Sequence, residues 1–185
     1  MLLVIAGPSG VGKGTIVRKL RERVTGLWLS VSANTRSPRP GEREGVDYHF
    51  VDRDDFLALR EEGGFLEWFE VYGDLKGTPR RAVEEHLAAG DDVLLEIDVQ
   101  GALAVKEQFP EALLVFVAPP SLQELERRLL SRPSADSEDI EARLAAAGAE
   151  LEQSDRFDAV VVNDDVDAAV GQVAGILNAR RGGSA

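Results

Sequence analysis

The 185-residue chain has no cysteine, a single methionine and only two histidines. The missing thiols exclude a disulfide framework, a thiolate metal site and a cysteine nucleophile, and nothing calls for an oxidising compartment. His49 and His86 lack metal-ligand spacing and read as structural. Aromatics are sparse at 6%, and Trp28 and Trp68 read as packing residues rather than stacking platforms. Long apolar runs are missing too. The longest, Leu2–Ala6 and Leu113–Ala118, fall far short of the roughly 20 residues a membrane helix needs. Met1 enters the first run without a basic segment ahead of it, so no signal peptide is expected and the chain reads as cytoplasmic. Positive charge is scarce: 21 Lys and Arg against 33 Asp and Glu give a net charge of −12. Nucleic acid and membrane surfaces favour broad basic faces, so neither is an expected partner. Any anionic ligand must be held locally, by individual arginines and lysines.

What is present is a 44% hydrophobic, 29% charged composition, that of a globular protein, at a length that suits one domain. Short β-branched runs at Leu2–Ala6, 93–97, 113–117 and Ala159–Val162 alternate with segments of helical spacing. Near-continuous apolarity over so few residues marks strands covered on both faces, so an α/β fold with a doubly wound parallel sheet is expected. Two stretches interrupt the rhythm. Between Ala33 and about Thr78, strands are expected at 46–51 and Phe65–Val71, with a helix from Asp52, forming a small β-rich insert. Around 132–139 the run Arg132-Pro133-Ser134-Ala135-Asp136-Ser137 is turn-prone between helical segments and suits a cover over a site. Thr78-Pro79 reads as an N-cap followed by proline at the first helical position, and residues 180–185 read as a frayed tail. The core would then comprise 1–32, 79–131 and 140–180 of one domain.

Gly7-Pro8-Ser9-Gly10-Val11-Gly12-Lys13-Gly14-Thr15 lies between the first strand and a helix with apolar positions Ile16, Val17, Leu20 and Val24. Glycines allow a tight loop with inward-pointing N–H groups, the helix offers its positive end, and Lys13 reaches the β- and γ-phosphates. This predicts a nucleoside triphosphate site. The usual loop places Ser or Thr directly after the lysine to help hold Mg²⁺. Here that position is Gly14, with Thr15 one place later, which weakens direct protein coordination of the metal.

A second constellation begins at Ser30-Val31-Ser32-Ala33-Asn34-Thr35-Arg36-Ser37-Pro38-Arg39-Pro40-Gly41-Glu42 and continues at Gly45-Val46-Asp47-Tyr48-His49-Phe50. Two arginines three apart can fork onto one phosphate, although that spacing alone fits two solvated loop residues equally well. Glu67 by itself reads as the solvent face of a strand and Tyr48 as packing. Glu96 and Asp98 differ: alternate acids ending an apolar strand are costly to bury without a metal or a donor-rich ligand.

Together with Phe65-Leu66-Glu67-Trp68, Gly77-Thr78, Leu95-Glu96-Ile97-Asp98-Val99-Gln100-Gly101, Ala118-Pro119-Pro120-Ser121, Arg143-Leu144, Glu150-Leu151 and Val160-Val161-Val162-Asn163-Asp164-Asp165, these motifs resemble a guanylate kinase over nearly the whole chain. The resemblance implies a P-loop kinase core, a GMP-binding insert at about 33–78 and a lid at about 132–139. It implies phosphoryl transfer from ATP to GMP or dGMP, with Mg²⁺ accompanying the ATP. It puts Arg36, Arg39, Tyr48, Glu42 and Thr78 around the GMP phosphate, and Ser32, Glu67 and Asp98 at the guanine. Independently, guanine presents N1–H and amine donors that want carboxylate acceptors, while adenine reverses that edge. Glu96 is expected on the Mg²⁺ side through water, and Asn163 beside the adenine, where it can equally cap the next helix.

Arg128 and Arg132, four apart on one expected helix, share a face. With Arg143 beyond the lid they are expected to close over the transferring group, alongside Lys13, Arg36 and Arg39. Alone, such helical arginines are usually solvated or paired with acids such as Glu124. Two departures from the family pattern accompany Gly14: Lys76 stands where a tyrosine usually contacts the GMP phosphate, and Pro133 where a glycine usually follows the lid arginine. Two alternatives stay open. One is a kinase for another monophosphate such as AMP; the other is a non-catalytic guanylate-kinase-like module that binds phosphopeptides.

Overall fold

In the computed structural model, which describes residues 1–71, 73–131 and 137–182, the chain alternates strands and helices from its first residues. The order is β1 (Leu2–Ala6), α1 (Lys13–Arg23), β2 (Leu27–Leu29), β3 (Ala33–Asn34), β4 (His49–Phe50), α2 (Arg53–Glu61), β5 (Phe65–Val71) and β6 (Asp74–Pro79). It continues with α3 (Arg80–Ala88), β7 (Asp92–Glu96), α4 (Val99–Gln108), β8 (Leu113–Ala118), α5 (Leu122–Leu130), α6 (Ser137–Leu151), a short turn of 3₁₀ helix (Ser154–Arg156), β9 (Ala159–Val162) and α7 (Val166–Gly182).

The five core strands form one parallel sheet in the order β2-β7-β1-β8-β9. Strand alternation divides their side chains between two apolar layers. Leu3, Ile5, Leu94, Val115 and Val117 pack with Ile16, Val17 and Leu20 of α1 and Val170, Val173 and Leu177 of α7. Leu2, Val4, Val93, Leu95, Leu114 and Phe116 pack with Val83 of α3 and Val99, Ala102 and Val105 of α4 on the other side. The expected α/β, doubly wound sheet is therefore the observed one. Truncating the fully buried Phe116 to alanine removes packing worth about 3–5 kcal/mol.

A second sheet, β4-β3-β6-β5, carries its own small core of Ala33, Phe56, Phe65 and Leu75, with Phe56 and Phe65 stacked at 4.2 Å. Within it, Phe65–Val71 and the helix after Asp52 lie where the sequence places them. The strand expected at 46–51 reduces to His49–Phe50. Local bonds capture the rest: Glu44 accepts from Phe50 N–H, Asp47 accepts from Arg43 N–H, and Gly45 N–H donates to Tyr48 C=O. Side chain to backbone bonding of this kind competes with ladder formation. The short β2, β3 and β6 were not anticipated, and β7 begins at Asp92, one residue earlier than expected.

Two further expectations are corrected. Thr78 does not cap α3, because it belongs to β6 and its hydroxyl points to Glu67; Pro79 occupies the N-cap position. The tail is not frayed at Arg180 and Arg181, since α7 reaches Gly182 and these arginines meet Glu111 and Asp92. Most of the expected lid, including Arg132 and Pro133, lies outside the described residues. Among those described, no helix is long and apolar enough to cross a membrane.

Candidate active site

The site gathers at the carboxyl ends of the core strands, where ligands bind in open parallel sheets. The loop after β1 leads into α1 through Gly12, whose φ of 96° is left-handed; a Cβ there would also meet Asn163 Nδ2 at 2.6 Å. Lys13 Nζ donates to the carbonyls of Gly7 and Pro8 at 2.5 and 3.1 Å, folding its ammonium back over the loop. Burial pushes the Lys13 pKa down, and the nearby Glu96, Glu150 and Asp98 carboxylates oppose that shift. Glu96 ends β7 beside the first turn of α1: a Cβ on Gly14 would lie 3.4 Å from Glu96 Oε1. The carboxylate expected near Mg²⁺ therefore faces the position where the loop lacks its hydroxyl. Thr15 is exposed in the same turn.

Asn163 is buried at the end of β9 and donates from Nδ2 to Val11 C=O at 2.7 Å. It ties the last core strand to the loop and does not cap α7; Asp165 does, accepting from Ala168 N–H. Arg128 reaches the same junction. Its guanidinium donates to Glu124 Oε1, Asn163 C=O and Val11 C=O at 2.8, 3.0 and 3.4 Å. Bonds from Arg127 and Arg128 hold the Glu124 carboxyl down to about 2. The pair with Glu124 is the alternative weighed for a helical arginine, whereas the bonds to Val11 and Asn163, which brace the loop, were not foreseen. Arg143 lies on α6 with its Nε buried.

Across the cleft, Arg36 makes a bidentate pair with Glu42, both N–O distances being 2.6 Å, and Glu42 also accepts from Arg39 N–H. These bonds raise the Arg36 pKa and lower that of Glu42. The Arg36 guanidinium lies 5.1 Å from the Tyr48 ring centroid, and Lys76 Nζ lies 5.3 Å from the same ring. Arg39 is exposed. Glu42, expected around the phosphate, is paired here with Arg36, another residue of that expected group. Ser32, Tyr48, Lys76 and Glu96 share the wall of a small cavity of about 60 Å³. A larger cleft of about 820 Å³ opens at the other end of the sheet, around Met1, Asp92 and Phe109, away from all of these residues.

Glu67 and Asp98 bring two acids together. Glu67, 6% exposed on β5, accepts the Thr78 hydroxyl at 2.5 Å through Oε1, while its Oε2 has no partner. Burial first, then the Asp98 charge, push the Glu67 pKa up to about 7 against the pull of Thr78 and Lys76. Asp98 caps α4, accepting from Gly101 N–H at 2.7 Å through Oδ1, and its buried Oδ2 is likewise without a partner. Gly101 serves both acids, since a Cβ there would come within 2.9 Å of Glu67 Oε2. A buried and a half-buried carboxylate, each with one buried oxygen lacking a partner, suit a ligand rich in N–H donors.

Over nearly its whole length the chain is similar to known proteins. The guanylate kinase family profile covers residues 1–180. The chain belongs to the guanylate kinase family. The guanylate kinase of Synechococcus sp. (strain CC9902) is 55% identical over 172 residues, 93% of this chain and 92% of that protein. That of Thermus thermophilus is 54% identical over 180 residues, 97% and 81% of the two chains. A crystal structure of guanylate kinase from Anaplasma phagocytophilum superposes with a TM-score of 0.80 at 37% identity, covering 97% of this chain and 85% of the other. Shikimate kinase from Bacteroides thetaiotaomicron, at a TM-score of 0.55 and 13% identity, shares the fold alone. The chain is thus a nucleoside monophosphate kinase by family.

Several features of this kinase's site were not read from the sequence. Glu150 is close enough to Lys13 and Asp98 to interact with both, and burial raises its pKa. Its place at i+7 from Arg143, on one helical face, was the available signal. The buried Ser30 Oγ has no partner and gave no signal beyond its position two residues before Ser32. His49 and His86, read as structural, pair with Glu44 and Asp91 at 3.1 and 2.7 Å, and His86 stacks on Trp28 at 3.8 Å. Trp68 is 44% exposed beneath Arg60 rather than packed in a core.

Proposed function

We propose that this chain transfers the γ-phosphoryl group of ATP to GMP, and to dGMP, giving ADP and the nucleoside diphosphate. The observation that carries the guanine assignment is the Glu67 and Asp98 pair, each with a buried oxygen awaiting a donor. Guanine N1–H and the exocyclic amine supply such donors, and adenine's N1 would leave both the base and an acid unpaired. The buried Ser32 completes that side of the pocket.

In this reading, an oxygen of the GMP phosphate attacks the γ-phosphorus, the bond to the β,γ-bridging oxygen breaks, and ADP leaves with the electron pair. The nucleophile is already anionic, so alignment and charge do most of the catalytic work. Lys13 and the amides of residues 7–15 hold the donor phosphates, with Asn163 and Arg128 keeping the loop in shape. Arg36, aimed by Glu42, and Arg39 take the GMP phosphate with Tyr48 and Lys76 beside them, while Thr78 orients Glu67. Arg132 and Arg143 are assigned the task of neutralising charge on the transferring group.

The carboxylate near Gly14 fits Mg²⁺, a hard cation that dehydrates reluctantly: Glu96 stands where it can hold metal-bound water. Bound with ATP, the ion neutralises charge developing on the phosphates. The absence of cysteine and the negative net charge support cytoplasmic action without a nucleic-acid or membrane partner.

The test is ADP release from Mg-ATP with GMP, dGMP, AMP, CMP and UMP offered singly. Turnover confined to the guanine nucleotides is expected. Preferential use of AMP would overturn the assignment, and no turnover with any of them would favour the non-catalytic module.

A further inference from the structure

Lys76 replaces an uncharged residue type of the family pattern, and its surroundings give the charge a task. In the antiparallel pairing of β5 with β6, Glu67 lies opposite Thr78 and Phe69 opposite Lys76. Lys76 and Thr78 are two residues apart on β6 and so project from one face, the face on which the Thr78 hydroxyl meets Glu67. The Lys76 ammonium rests 5.3 Å from the Tyr48 ring centroid, and its side chain lines the same small cavity as Ser32 and Glu96. A partly buried cation therefore shares a sheet face with a buried acid one register step away, where Coulomb forces are only weakly screened.

The groups acting on Glu67 come from three elements. Asp98, at the start of α4, repels its negative charge; Thr78 and Lys76, from β6, favour that charge; burial in β5 opposes it. Gly101 of α4 contributes no side chain and leaves the carboxylate room. Lys76 is the one cation among these groups, and a tyrosine in its place would be neutral near pH 7. The protonation state matters because a protonated Glu67 presents an O–H donor where guanine also presents donors.

We propose that Lys76 is a positioning charge for guanine recognition: its ammonium holds Glu67 in the ionised, acceptor form and thereby sets how far toward acid pH the enzyme binds GMP productively. The consequence for GMP rests on Glu67 reading guanine, as above; the electrostatic link between the two side chains does not.

The experiment uses the full ligand-free chain with ¹³C-labelled glutamate side chains, the Glu67 carboxyl signal being identified by its loss in Glu67→Gln. Lys76→Met should move the Glu67 titration midpoint upward by about half a unit to one unit, roughly a three- to tenfold gain in proton affinity. Lys76→Tyr should do the same, and Lys76→Arg should hold it near the parent value. The acid limb of kcat/KM for GMP should shift with the midpoint in Met and Tyr and be restored in Arg. An unmoved midpoint in both folded Met and Tyr variants overturns the proposal. So does a kcat/KM lowered by one factor at every pH, the mark of a phosphate contact alone. If the parent fails to phosphorylate GMP, the guanine assignment fails, while the carboxyl titration still decides the link between Lys76 and Glu67.

Discussion

Replacing Glu67 by glutamine should stabilise the ligand-free protein while removing much of its use of GMP. The carboxyl is 6% exposed and its folded pKa is raised to about 7 from an ordinary 4.5. The folded state therefore binds the proton more tightly than the unfolded chain. The associated stability is fully present below about pH 4.5 and is lost as pH rises through about 7. At 1.36 kcal/mol per unit the whole window amounts to about 3 kcal/mol, most of it between pH 5 and 8. Glutamine carries no charge to desolvate, and its carbonyl can still accept from the Thr78 hydroxyl. The stability of Glu67→Gln relative to the parent should therefore improve by about 2–3 kcal/mol between pH 5 and pH 8. At a urea slope near 2 kcal/mol/M, that is a relative midpoint shift of about 1 M. Urea titrations of both proteins at the two pH values measure it directly. GMP should raise the parent's Tm at pH 8 and leave the variant's nearly unchanged, because the amide offers the guanine edge a donor in place of a charged acceptor. A stability difference that is the same at pH 5 and pH 8 would refute the reasoning, since it would show that Glu67 carries no ionisation penalty in the folded state.

Glu42→Gln, which leaves Arg36 without its charged bidentate partner, should raise KM for GMP about tenfold, the equivalent of one charge-assisted hydrogen bond, with a smaller change in kcat; an unchanged KM in steady-state assays would remove Glu42 from the site. Gly14→Ser places a new Cβ at ordinary contact distance from Glu96 and offers the missing hydroxyl, so a titration of kcat should show half-saturation at lower free Mg²⁺ than in the parent; a parent inactive at every Mg²⁺ concentration would instead show that the glycine disables the kinase.

The sequence by itself determined four of the five core strands, the phosphate loop motif and the family. Apolar runs such as Leu2–Ala6 and Leu113–Ala118 are local signals, and the loop from Gly7 to Thr15 is contiguous, so neither depends on distant partners. The short strands Leu27–Leu29 and Ala33–Asn34 were not legible because so few residues carry no period of their own; pairing with β7 and β6 creates them. Likewise, Thr78 looked like a helix cap from its neighbour Pro79, and only the pairing of β6 with β5 turned its hydroxyl toward Glu67. Arg128 and Glu42 were legible as charges but not as supports, since their partners on the loop and on Arg36 are set by how the chain folds back. The acid pair shows the division most clearly. Sequence placed Glu67 and Asp98 31 positions apart by resemblance. The burial of Glu67, its raised pKa and the two unmet oxygens arise only when the insert sheet closes against the start of α4, because desolvation belongs to the packed structure and not to either residue alone.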